Sequence, residues 1–220
     1  MSASLQPGQP RLPLVQLGQL ADADGDLPEA EDDRDNERFS GVDLGGRDLT
    51  GATFSECGFV DVSLDDAELL GARFNDCILT QVNAPILRAS RSSWRSVVVE
   101  HSRIGSGELY DSSVNAVHFS HCKIGYLNLR GAKLRDVLFT ECTIDELDLA
   151  GATAVRVAFT ATPVRLLDVA RANLTDVDLR GAELADIRGI DSLRGTTMTE
   201  YQLAQLSPLF AAYLGVTIAP

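Results

Sequence analysis

Aromatic residues are scarce in this sequence, at 6% of 220 residues with a single tryptophan. A core of ordinary size must therefore come from smaller side chains stacked in a regular way. Basic residues are also few, 19 against 32 acidic ones, for a net charge of −13. That balance excludes a general nucleic-acid-binding surface, which needs a basic footprint. No apolar run approaches the ~20 residues of a membrane span. The N-terminal apolar patch from Leu12 to Leu20 has no basic flank and is interrupted by Pro13, Gln16, Gly18 and Gln19, so a secretory signal is not expected. The four cysteines lack the C-x-x-C spacing of zinc and redox sites. Reduced thiols and a cytoplasmic location are the expectation.

What is present is a period of five. From Phe39, every fifth residue through Leu44, Leu49, Phe54 and Phe59 to Leu174, Leu179 and Leu184 is apolar, 30 positions without a slip. Two residues before each lies a second restricted position, as at Val42, Ala52, Cys57, Val62, Ala67, Ala72 and Cys77. Five matches neither the helical period of 3.6 nor the strand period of 2. It suits a chain that turns a corner with each pentapeptide, so that four corners close a 20-residue coil. Residues 20 apart should then stack, and they resemble one another: Phe39, Phe59, Leu79, Val99, Phe119, Phe139, Phe159 and Leu179 form one column. Ala52, Ala72, Ser92, Ser112, Ala132, Ala152 and Ala172 form another.

The stretches LTGATF, LRGAKL, LDLAGATAV and VDLRGAEL resemble the A(D/N)LXX pattern of the pentapeptide-repeat family, over about 150 residues. The resemblance implies an all-β fold: a right-handed quadrilateral parallel β-helix of about 30 pentapeptides, seven to eight coils, in a bacterial protein. At ~4.8 Å per coil the rod is roughly 36 Å long. Three segments are expected: an acidic, disordered tail over 1–36, the β-helix over 37–190, and a helical cap over 191–220. Within the cap, Thr199 and Gln202 have capping-box spacing. Ser207 before Pro208 reads as the start of a second helix, which Gly215 would end. Leu203, Leu206, Leu209, Phe210, Tyr213 and Leu214 supply apolar surface for capping. In the family such helices also join two coils end to end, so a homodimer is one expectation.

Candidate chemistry is thin. All four cysteines occupy inward positions, with Cys57 above Cys77 and Cys122 above Cys142; a disulfide within each pair is geometrically conceivable, and a structural thiol is the simpler reading. His101, His118 and His121 come close together but lack a defined set of partner ligands, so no metal is expected. Arg47 occupies an inward site in the first coil, from which its head can snorkel to water. No nucleophile–base constellation or phosphate loop emerges, and a convex rod offers no evident cleft. An enzyme is therefore not expected, nor a cofactor.

The outward faces carry the remaining candidates. Asp48, Glu68, Glu108, Asp148 and Asp168 share a column, flanked by Asp66 and Glu146. A neighbouring row of Val60, Ile78, Val98 and Leu138 suggests an apolar contact surface. Arg73, Arg95, Lys133, Arg135 and Arg156 cluster on another side, and 85–103 departs most from the repeat. Two functions follow. One is a scaffold or adaptor that binds another protein. The other, implied by the resemblance, is a DNA mimic that binds DNA gyrase or a related type II topoisomerase and protects it from quinolones. The charge arithmetic counts against the mimic: the coil carries about −6, whereas a duplex of that length carries about −20. Direct binding of nucleic acid and membrane insertion are not expected in either case.

Overall fold

The computed structural model describes residues 6–23 and 25–217. The chain winds into a β-solenoid of about nine turns, with every strand pairing parallel and one C-terminal helix. The register is 20 residues: Phe119 pairs with Phe139, and Phe139 with Phe159. Each turn is therefore four pentapeptides. The turn count exceeds that marked by the periodicity because the coil continues at both ends. Asp33–Asp35 stacks on Thr53–Ser55, and Thr196–Thr197 on Val177 and Asp178.

The inward columns make the core. Phe119, Phe139 and Phe159 form one internal pile, with ring centroids 4.9 and 5.1 Å apart and planes within 8°. Offset stacking at this distance adds ~0.5–1.5 kcal/mol per pair beyond area burial. The first coils hold two such piles, Phe39 on Phe59 and Phe54 on Phe74, the latter continuing to Trp94 at 4.3 Å. Corners demand a left-handed residue. Gly51, Gly71, Gly131 and Gly151 supply it on one edge, while Asp76, Ser96, Ala116, Asp136 and Arg156 adopt φ near +55° on another. Such residues are strained outside glycine; the ladder hydrogen bonds on either side hold them there.

Trp94 is buried, so the irregular 85–103 stretch does not offer it as a contact residue. Its indole Nε1 donates to Ser92 Oγ at 2.7 Å, and Ser112 Oγ lies 3.2 Å from the same hydroxyl. Serine replaces alanine in this column because a buried indole N–H needs an acceptor.

Both ends are capped. At the start, Arg47 Nε donates to the Pro28 carbonyl at 3.2 Å; its head meets backbone rather than open water alone. At the other end the helix Glu200–Leu214 begins with the capping box of Thr199 and Gln202. Gln202 Nε2 also donates to the Leu179 and Ala182 carbonyls at 2.7 and 2.6 Å, covering the last coil's edge. The helix does not restart at Ser207–Pro208. Pro208 cannot donate to the Ala204 carbonyl, but the Ser207 hydroxyl does so at 2.8 Å. One continuous helix results, and it ends at left-handed Gly215.

The segment 1–36 is not simply a solvated tail. Among its described residues are two strands, Ala21–Asp22 and Asp33–Asp35, and residues 7–20 lie along the solenoid.

Candidate functional site

Three surfaces were expected to carry contacts, and the fold treats each differently. The acidic column is not a continuous negative stripe. The 20-residue register places Arg88 between Glu68 and Glu108, and Arg188 after Asp168. Arg88 Nε lies 2.6 Å from Asp66, and Arg188 lies 3.6 Å from Glu146. Asp148 is only 1% exposed. Its Oδ1 accepts the Ala150 N–H at 3.0 Å, while Oδ2 takes Arg130 and the Tyr126 hydroxyl. Burial, with Asp148 adding to it, pushes that phenol up to about 12. Asp168 and Asp48 likewise accept the N–H two residues on. For Asp48 the Thr50 hydrogen bonds hold the carboxyl below its usual range. These carboxylates close turns, which leaves Glu68 and Glu108 as the acids with most freedom in the column, and Glu108 accepts from Asn128.

The apolar row lies beneath the chain's own N-terminal segment. Residues 7–20 run along the column Gly58, Ile78, Val98, His118, Leu138, Ala158 and Asp178. At one end Pro7 is buried, and a methyl built on Gly8 would sit 3.1 Å from Asp176 Oδ2 and 3.4 Å from the Arg156 side chain. Midway, the Arg11 N–H donates to Asp136 Oδ1 at 2.9 Å. Asp136 is itself clamped by Arg156 through two bonds of 2.6 and 2.7 Å, which hold its carboxyl below the usual range. At the far end Leu17 and Leu20 meet Gly58: a methyl built there would sit 2.9 Å from Leu20 Cδ1 and 3.4 Å from Leu17 Cδ1. Val60, Ile78, Val98 and Leu138 are all half-buried. The Leu12–Leu20 patch was the signal in the sequence, but its destination was not.

The C-terminal helix divides its apolar residues. Leu206 is buried in the core, with Leu209 and Phe210 packed against it. Leu203, Tyr213 and Leu214 are exposed, together with Tyr201 and Val216. The cysteines are free, buried thiols. Burial pushes Cys77 up to about 12, and the hydrogen bond with Cys142 followed by burial raises Cys122. His101 and His121 stack at 4.8 Å, and His121 Nε2 faces Glu141 at 3.1 Å. Among the described residues no group of three or more His, Cys, Asp or Glu could hold a metal ion. No helix among them is long and apolar enough to cross a membrane.

The 20-residue ladder and its inward columns agree with what known families show. Residues 112–188 match the description "Pentapeptide repeat region", and residues 38–81 match "Pentapeptide repeats (8 copies)". The chain belongs to the pentapeptide-repeat family. Among solved structures it is similar to a trypsin-treated form of QnrB1, a plasmid-mediated fluoroquinolone resistance protein, at 21% identity. That match covers 87% of this chain and 93% of the other, with a TM-score of 0.35. It is also similar to HetL, a pentapeptide repeat protein involved in heterocyst differentiation regulation in the cyanobacterium Nostoc sp. Strain PCC 7120, at 15% identity. There the coverage is 78% and 91%, with a TM-score of 0.35. No curated protein matches.

Proposed function

We propose that this pentapeptide-repeat protein is a non-enzymatic interaction scaffold whose partner is another protein, acting in the cytoplasm and without a cofactor. The observation that carries this reading is the set of exposed apolar side chains on and just after the C-terminal helix, Tyr201, Leu203, Tyr213, Leu214 and Val216, which no neighbour among the described residues buries, with Leu203 and Leu214 on one face. Leaving four large apolar side chains in water on a 15-residue helix, with a fifth just past its end, is the mark of a contact surface. A second copy is one occupant, giving an end-to-end dimer. Sedimentation equilibrium tests this: dimer dissociation on Leu203→Glu with Leu214→Glu supports it, and a monomeric parent chain turns the face over to a different partner. Affinity capture from a cell extract, with the same variant as control, then identifies that partner. Loss of no captured protein in the variant would refute the assignment of this face.

The topoisomerase reading draws less support, because Arg88 and Arg188 break the acidic column and Asp148 and Asp168 are engaged in turns. A gyrase supercoiling assay decides it. No inhibition at high molar excess removes it.

A further inference from the structure

We propose that the face running from Gly58 to Asp178 is a peptide-binding groove, occupied in cis by residues 7–20 and able to take an extended, proline-interrupted apolar segment of a partner protein. The inference rests on the scaffold reading for its purpose, and adds to it a surface, a ligand class and a gate.

Three features mark the groove as built for an extended chain. The first is length. From the turn of Asp178 to that of Gly58 is six coil steps, roughly 29 Å at ~4.8 Å each, and Gln9 to Leu20 reaches roughly 36 Å at ~3.3 Å per residue. The span takes about four fifths of that reach, so an extended chain touches both ends where a helix would fall short. The second is the pattern of the strap. Pro7, Pro10, Leu12, Val15, Leu17 and Leu20 are buried or half-buried, whereas Gln9, Arg11, Gln16 and Gln19 are exposed. Apart from Pro13 and Leu14, the apolar side chains face the floor and the polar ones face water. The third is the floor. Its column holds Ile78, Val98 and Leu138, yet is glycine at position 58, where Leu17 and Leu20 descend. The deeper notch receives two leucines of the strap.

The attachment is also of a releasable kind. Between residues 6 and 20 the Arg11 N–H is the backbone donor that meets the solenoid, and it meets a side chain, Asp136. The strap forms no ladder with the coil until Ala21 pairs with Glu37. Strand addition would bring a hydrogen bond at every second residue; here side-chain burial supplies the contact. Three prolines within the stretch, Pro7, Pro10 and Pro13, keep it extended and lower the entropy lost on seating. Among the described residues nothing covers the strap at Leu14, which is 80% exposed. A segment of like chemistry from another protein can compete for the seat, with the cis strap setting the threshold through its high effective concentration.

The test uses the full chain and a fluorescein-labelled peptide of residues 6–20, followed by anisotropy. In a full-length variant carrying Leu12→Asp, Leu17→Asp and Leu20→Asp, the strap is unseated and the groove open. That variant is expected to bind the peptide saturably, and the parent chain at least tenfold more weakly because its own strap is in place. A peptide bearing the same three aspartates should fail to bind, a control that leaves the solenoid untouched. Trypsin should cut after Arg11 faster in the unseated variant than in the parent. Equal binding by both proteins, no saturable binding by the unseated variant, or indifference to the three aspartates in the peptide overturns the proposal. No natural partner enters this titration, so its failure is separate from failure of the scaffold reading, which the C-terminal helix variants address.

Discussion

Replacing Ser92 by alanine should destabilise the solenoid even though alanine is the residue this column otherwise prefers. The Trp94 indole is buried and donates to Ser92 Oγ at 2.7 Å. With the hydroxyl gone, that N–H has no acceptor. The Ala89 carbonyl keeps a partner, because Ser112 Oγ reaches it at 3.2 Å, so one orphaned donor is the main loss. A buried unsatisfied donor costs about 1–3 kcal/mol. Trp94→Phe alone removes volume from the pile on Phe74 and costs about 1–2 kcal/mol by the trend for core truncations. It leaves Ser92 satisfied through Ala89. The double variant restores the pairing seen two and one turns earlier, Ala52 with Phe54 and Ala72 with Phe74. It lacks the orphan, so it should be more stable than the sum of the singles by about 1–3 kcal/mol. Equilibrium urea unfolding followed by circular dichroism measures all four proteins, with unchanged m-values as the check on the denatured state. Additivity within about 0.5 kcal/mol, the behaviour of independent sites, would refute the reasoning and leave Ser92 as mere drift.

Other outcomes follow from the same structure. Gln202→Leu should cost about 2–4 kcal/mol, because the Ala182 carbonyl loses its donor, Leu179 keeps only the Ala182 N–H, and the capping box with Thr199 is broken, and hydrogen exchange should rise first at that end. Leu206→Ala should cost about 2–5 kcal/mol by core truncation, again read by urea unfolding. Ellman's reagent at pH 8 should leave the native thiols unmodified and titrate four after denaturation, since burial pushes Cys77 up to about 12 and all four are buried. Burial lowers the His118 pKa from its ordinary 6.5, with Glu100 opposing. The unfolded chain therefore binds the proton first, so stability should fall as pH drops through 6.5 toward the native value, and His118→Gln should flatten that slope in melts between pH 7.5 and 5.

The five-residue period was enough, by itself, to say which side chains point inward, where the Phe119–Phe159 pile stands, and that residues 20 apart are neighbours. Inward and outward are local properties of a chain that turns every fifth residue, so they are written along the sequence. The Thr199–Gln202 capping box and the Gly215 stop are local for the same reason. The acidic column was misjudged because the carboxylates were read without the cations that the register inserts among them. Arg88 belongs to the same column as Glu68, and Arg130 reaches Asp148 from 18 residues away. Ser207 repairing the helix at Pro208 depended on a hydroxyl rotamer that no residue pattern encodes. The strap was the least legible part. It has no period, its proline-rich sequence reads equally well as a solvated tail, and its partners lie 125 residues away at Asp136. Only the closed coil creates the groove that holds it, because that groove is made of one residue from each of seven turns.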